Sequence, residues 1–261
     1  MTAETEPISP SCPSPVRRPV MLQGWQRLGS VHWPFDPEAV QRHIPPPFRV
    51  DTFDGAAWVG LIPFWMDRIR VPGLPPFGRL SSFPETNIRT YIVAPDGRRG
   101  VWFMSLDITR LVPTLVARVS YHLPYCWSSM SISSGSISSG SIEGSDGLVE
   151  YRSSRRWPRD RAFSRLALRV GDQVAPEDVT DLEHFVTARW ALGSTWAGRP
   201  IWAKVDHEPW PLHRATVVDL DESLMTAAGL PHPEGEPIAL WSPGVNVRIG
   251  RPRRLRDRAR S

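Results

Sequence analysis

Alternating apolar and polar positions dominate the first half of the chain and predict strands. Over 84–92 this two-residue period puts Glu85, Asn87, Arg89 and Tyr91 on one face and Thr86, Ile88, Thr90 and Ile92 on the other. Asp54-Gly55, between apolar runs at 48–53 and 56–66, reads as a hairpin turn, and Pro95-Asp96-Gly97 joins strands at 86–94 and 100–107 in the same way. Further strands are expected near 148–156, 190–196, 201–207 and 238–249. Helical spacing is confined to short stretches. Asp36-Pro37-Glu38 supplies an N-cap, a first-turn proline and an acid, and the helix must stop at Pro45-Pro46-Pro47. Leu111, Val112, Leu115, Val116 and Val119 predict an amphipathic helix over 110–121. Thr180-Asp181-Leu182-Glu183 is a capping box that turns Leu182, Phe185 and Val186 inward, and a last helix is expected from Asp221 to the stop at Gly229 and Pro231.

Many short strands with three or four short helices give an α+β class, mainly antiparallel β, arranged as a closed or nearly closed barrel with a few short peripheral helices. No Gly-rich phosphate loop follows a strand and Gly-x-Ser-x-Gly is absent, so nucleotide-binding and α/β-hydrolase readings lose their main support. Residues 21–250 form one domain. The Pro-, Ser- and Glu-rich segment 1–20 is expected to be a disordered head. Residues 131–147 are a low-complexity loop in which Ser-Ile-Ser-Ser-Gly occurs twice, too few copies to stack as a repeat array. Of the formal charge of +4, six arginines and one aspartate in 251–261 account for +5, leaving the rest of the chain at −1. The basic character therefore belongs to an Arg-rich tail, expected to be disordered, and nucleic acid would engage that tail alone. Cys12 in the head and Cys126 in the expected core do not suggest a disulfide. No apolar run reaches membrane-spanning length, and the first residues lack the basic-then-apolar order of an export signal. The expectation is a cytoplasmic protein with no membrane partner.

The polar comb Glu85, Asn87, Arg89, Tyr91 is the main candidate for chemistry. Turned inward, it binds a carboxylate or enolate, with Arg89 forking onto two oxygens and Glu85 holding it in place. Turned outward, it is an ordinary solvated face. The chain has a single lysine, Lys204, whose expected role is a partly exposed partner of Asp206. His207 and His213 match no zinc spacing and read as structural histidines, so no metal is expected. Trp65, Trp102, Trp127 and Trp210 read as core or pocket wall, and Cys126 as an inert buried thiol.

The strand Glu85-x-Asn87-x-Arg89-Thr90-Tyr91 and the corner Ala117-Arg118-Val119-Ser120-Tyr121-His122-Leu123-Pro124-Tyr125 resemble the YqjF-like bacterial family. Trp33-Pro34, Ser105-Leu106-Asp107, Glu183-His184-Phe185, the stretch from His207 to Leu212, and Ala228-Gly229-Leu230 agree over residues 21–250. That family is similar in fold to the acetoacetate decarboxylase superfamily, whose barrel holds its ligand inside. The decarboxylases form a Schiff base through a lysine beside a second lysine, in the motif Gly-Arg-Glu-x-x-Gly-x-Pro-Lys-Lys. The counterpart here ends in Tyr125 and Cys126, so the resemblance implies a cavity without that nucleophile. It points to a small organic acid or apolar ligand, bound by Glu85, Asn87, Arg89, Tyr91, Arg118 and Tyr125. No catalytic residue and no cofactor are assigned, and oligomeric state is not legible. The alternative is a non-catalytic structural or interaction protein in which the comb is a buried network and the basic tail meets an acidic partner.

Overall fold

The computed structural model describes residues 4–255 except 77, 110–123, 135, 139–140, 144–146 and 159. The chain folds mainly as strands: β1 (Met21–Phe35), β2 (Arg49–Val50), β3 (Thr52–Phe53), β4 (Ala56–Arg70), β5 (Phe83–Val93), β6 (Arg99–Ile108) and β7 (Tyr125–Ser134), then a small hairpin of β8 (Ser136–Ser138) and β9 (Ser141–Glu143). There follow β10 (Leu148–Trp157), β11 (Phe163–Gln173), β12 (Ala191–Trp196), β13 (Arg199–His207), β14 (His213–Glu222), β15 (Ile238–Ile249) and β16 (Arg253–Arg254). Among the described residues three short α-helices interrupt them: α1 (Pro37–Gln41), α2 (Asp181–Thr187) and α3 (Leu224–Ala227). Among the described residues fourteen strands share one sheet in the order β16-β13-β12-β6-β7-β10-β11-β14-β15-β1-β4-β5-β2, with β3 on β4. Because β5 also pairs β6, and β13 also pairs β15, the order returns on itself. Neighbours run antiparallel except at β12–β6 and β6–β7.

Both faces of β5 are buried. On one, Ile88 and Ile92 join the largest apolar cluster, with Val31, Leu61, Tyr151, Leu166 and Trp241. On the other stand Glu85, Asn87 and Arg89. The solvated-face reading of the comb therefore does not hold, since a sheet that curves round to pair with itself encloses one face while helices and loops cover parts of the other.

Gly60 on β4 lies opposite His32 on β1 and Arg89 on β5. A methyl group there would collide with the His32 ring and crowd the end of Ile62. Gly60→Ala is expected to destabilise the fold by about 1–3 kcal/mol through overpacking. An unchanged urea midpoint would show that the ring can step aside.

Capping chemistry behaves as the sequence implies. The Asp36 side chain accepts from the Glu38 and Ala39 amides at the start of α1, and the Thr180–Glu183 box is complete on α2. The last helix differs. Asp221 and Glu222 are still paired with Arg165 and Ser164 of β11, so the ladder takes the residues that resemble a helix start and only Leu224–Ala227 is helical. The predicted helix over 110–121 lies outside the described residues.

The head is also placed differently from its composition. Residues 6–20 lie along the fold: Glu6 pairs through its backbone with Gly97 and Arg99, Trp190 Nε1 donates to the Ser9 carbonyl, Val16 N donates to Asp206, and Val20 N donates to the Ile249 carbonyl. Backbone groups and a buried Val16 fasten this segment, so a low apolar content does not keep it off the domain. At the other end Arg253 and Arg254 pair with β13, and residues 256–261 lie outside the described residues. No helix among the described residues is long and apolar enough to cross a membrane.

Candidate functional site

The comb opens onto a cavity of about 270 Å³. Its wall is mostly apolar, with Trp25 of β1, Phe64 and Met66 of β4, Phe83 of β5, Ile108 of β6 and Trp210 after β13. Trp25 stacks on Trp210 at 6.0 Å and tilts against Phe64 at 5.9 Å. A bulge shapes this wall beside Arg89. On β6, Ser105 pairs with Ile88 and Phe103 with Arg89, leaving Met104 as an extra residue. The cavity-facing positions of β6 therefore change from Leu106 and Ile108 to Phe103 and Val101.

Glu85, Asn87, Arg89 and Tyr125 line this cavity. Tyr91 stands behind it as a buried support. Its hydroxyl donates to the Val186 carbonyl at 2.6 Å, so His32 Nε2, also at 2.6 Å, must be the donor to the phenol oxygen. His32 Nδ1 then accepts from Ser30 Oγ at 3.3 Å. Burial holds the His32 pKa well below its ordinary value, with the positive charges of Arg89 and Arg189 adding to the effect. Arg118 lies outside the described residues.

Arg89 is not held by Glu85. Among the described residues no carboxylate reaches ion-pair distance of its guanidinium. Arg89 Nη2 donates to the Val186 carbonyl at 3.3 Å, and Arg89 Nε has no partner. Glu85 is poorly suited to be its counter-ion. Burial pushes the Glu85 carboxyl up to about 8, hydrogen bonding from the Asn87 side chain offsets this in part, and the Asp107 charge reinforces it. At neutral pH it is a neutral acid facing an apolar space.

Two further groups complete the polar end, and neither was read from sequence as part of a site. Arg189, beyond the end of α2, is 4% exposed and lines the cavity. Its Nε donates to the Phe185 carbonyl at 2.7 Å and its Nη1 to Asp51 at 2.6 Å, while Nη2 has no partner. Arg99 shares the same Asp51 oxygen at 2.6 Å, so one carboxylate faces two guanidiniums. An arginine inside the apolar run Phe185-Val186-Thr187-Ala188-Arg189-Trp190 was the available signal. His207 is the second. Its Nδ1 donates to the Glu208 carbonyl at 2.6 Å, which makes Nε2 the basic nitrogen of the neutral ring, and burial lowers its pKa. His213, by contrast, bonds the Gly171 carbonyl at 2.9 Å and packs edge-on against Trp241.

Lys204 projects away from the cavity onto Ser14 of the head and is exposed. Its expected partner Asp206 is occupied by the Val16 amide instead. With the chain's one lysine outside, no lysine amine faces the cavity for imine formation. No group of three or more metal-binding side chains occurs among the described residues.

The sequence model of the DUF2071 family, described as an uncharacterized conserved protein, matches residues 22–246. The uncharacterized protein YqjF of Bacillus subtilis (strain 168) is 28% identical over 228 residues, covering 87% of this chain and 89% of its own. Among solved structures, the enduracididine biosynthesis enzyme MppR, complexed with the condensation product of pyruvate and imidazole 4-carboxaldehyde, matches with a TM-score of 0.65 at 18% identity. That match covers 98% of this chain and 97% of MppR. An acetoacetate decarboxylase-like enzyme from Sphingomonas wittichii RW1 matches with a TM-score of 0.62 at 14% identity, over 97% of this chain and all of that one.

Proposed function

Given that the chain belongs to the YqjF-like DUF2071 family and has an acetoacetate decarboxylase-like fold, we propose that it binds a small organic acid with an apolar portion. The ligand sits inside the returning sheet, which acts as the wall of a closed β-barrel. The observation that carries this reading is Arg89: a residue only 7% exposed, at the edge of an apolar cavity, with no carboxylate partner among the described residues and its Nε unbonded. A buried cation in that state is strongly favoured by an incoming anion. Arg89 is the anion anchor, Asn87 and Tyr125 are contacts, and Glu85 is a neutral hydrogen-bond donor in place of an orienting anion. Tyr91 holds the frame. The condensation product of pyruvate bound by MppR is consistent with a ligand of this size and chemistry.

Schiff-base chemistry is not part of the proposal, since the lysine is outside. Any turnover would be acid–base, with protonated Glu85 and the basic Nε2 of His207 as the available pair.

The test is thermal stability of the full chain against keto acids, aromatic acids and unsaturated lactones. A rise in melting temperature with an acid, lost in a still-folded Arg89→Ala variant, is the expected result. The same rise in the variant would remove Arg89 as the anchor.

A further inference from the structure

Three polar atoms at the cavity are buried and without partners: Arg89 Nε, Arg189 Nη2 and Asn87 Oδ1. The three residues are 7%, 4% and 5% exposed, and all line the same space. Buried polar groups are nearly always bonded, so a set of orphans around one cavity outlines the chemistry of what fills it. Two are guanidinium donors. The third is an amide oxygen, which can only accept.

The two arginines flank one ring, with guanidinium carbons 5.9 Å and 4.4 Å from the centre of Tyr91. Arg189 is held in place by Asp51 and the Phe185 carbonyl, and its remaining nitrogen is left for a ligand. Asn87 and Arg89 are two residues apart on one face of β5, roughly 6.5–7 Å between backbones. A carboxylate and a hydrogen-bond donor on adjacent carbons can bridge that spacing.

Charge decides which donor. Arg89 is unpaired, and Asp51 offsets only one of Arg99 and Arg189. With Glu85 and His207 both neutral, the site carries excess positive charge. An ammonium beside the carboxylate would be repelled, and a keto oxygen would set acceptor against acceptor at Asn87. A hydroxyl satisfies both constraints.

Resting on the organic-acid reading above, we propose that the cavity selects 2-hydroxy acids with an apolar or aromatic side chain. Arg89 and Arg189 hold the carboxylate, the hydroxyl donates to Asn87 Oδ1, and the side chain lies among Trp25, Phe64, Phe83 and Trp210. Arg189 is thus a second binding residue, supplied from the end of α2.

The experiment is calorimetric titration of the full chain with 3-phenyllactate, 3-phenylpropanoate and phenylalanine, alongside 2-hydroxyhexanoate and hexanoate. The expected result is that a hydroxy acid binds roughly tenfold or more tightly than its deoxy partner, and that phenylalanine is weaker than phenyllactate. In Asn87→Leu the hydroxyl preference disappears while the plain acids still bind. In Arg189→Lys, which keeps a charge for Asp51 but loses the fork, both acids weaken by about tenfold. A melting curve confirms that each variant is folded, and Arg189→Gln serves as a second substitution. Equal affinity for hydroxy and deoxy acids in the unaltered protein overturns the hydroxyl assignment and leaves the organic-acid reading standing. Undiminished binding in folded Arg189 variants overturns the two-arginine clamp. Absence of binding by every acid defeats both readings together.

Discussion

Replacing Asp107 by alanine is expected to cost about 3–5 kcal/mol, the range for removing one partner of a buried pair. Asp107 is fully buried, and the buried Arg155 grips it with both ends of its fork, Nε to Oδ1 at 2.9 Å and Nη2 to Oδ2 at 3.0 Å. Ser128 adds a bond at 3.1 Å, and Asp160 takes Arg155 Nη1 at 2.6 Å. Truncation leaves a guanidinium designed for two carboxylates with only the more exposed one. The cluster also joins β6 to β7, because Asp107 pairs with Cys126, the residue after Tyr125 of the cavity wall. Chemical denaturation at pH 6 measures the loss. A loss below about 1 kcal/mol would mean that Asp160 alone suffices as counter-ion. Removing both partners, as in Asp107→Leu with Arg155→Met, is expected to cost less than the single change, since no buried charge is stranded.

Above about pH 6.5, where the opposing contributions of the buried neutral His32 and His207 are complete, stability should fall as pH rises toward 8, and Glu85 is the reason. Burial raises its carboxyl in the fold to about 8, whereas the ordinary value is 4.5. Between those limits the unfolded chain releases a proton that the fold retains, so ionisation favours unfolding. The contribution is fully present below about pH 4.5 and is lost as pH approaches 8. At about 1.4 kcal/mol per pH unit, that window corresponds to on the order of 5 kcal/mol. Glu85→Gln keeps the shape and removes the titration, so its urea midpoint should be flatter and, near pH 8, higher than that of the unaltered protein. Identical slopes in the two proteins would place the pH dependence in another group. A ligand anion at Arg89 should not change this sign, because Glu85 is not the arginine's partner.

The period-two pattern of β5 was readable residue by residue, and the hairpins, the capping box and the span of β15 followed from local chemistry. What alternation does not contain is which face meets solvent. Glu85, Asn87 and Arg89 look like a wetted row until distant strands wrap around them, and that closure depends on pairings such as β5–β6 and β13–β15. Arg189 was harder still. It enters the cavity from beyond α2 and is fixed by Asp51, a contact of long sequence separation that no local window shows. The family strand led to Arg89 but not to its neighbour. Strands β11 and β14 were not read because Arg165, Arg169, Asp172, Asp219 and Asp221 obscure the apolar positions with exposed charge, although Leu166 and Leu168 do alternate inward. At Asp221 a good helix start lost to ladder bonds with β11, a case of tertiary pairing overriding local preference.

The pairing of β1 has a consequence for how the protein is made. One edge of β1 can pair with β4 soon after both leave the ribosome, but the other waits for β15, whose Ile249 lies opposite Met21. At roughly 5–20 residues per second, that wait is on the order of ten seconds. Throughout it, β1 presents an open strand edge, able to recruit foreign chains. The cavity therefore forms late, after translation has passed the last strand, and slowing of synthesis in the final third of the chain should increase aggregation more than a pause early on.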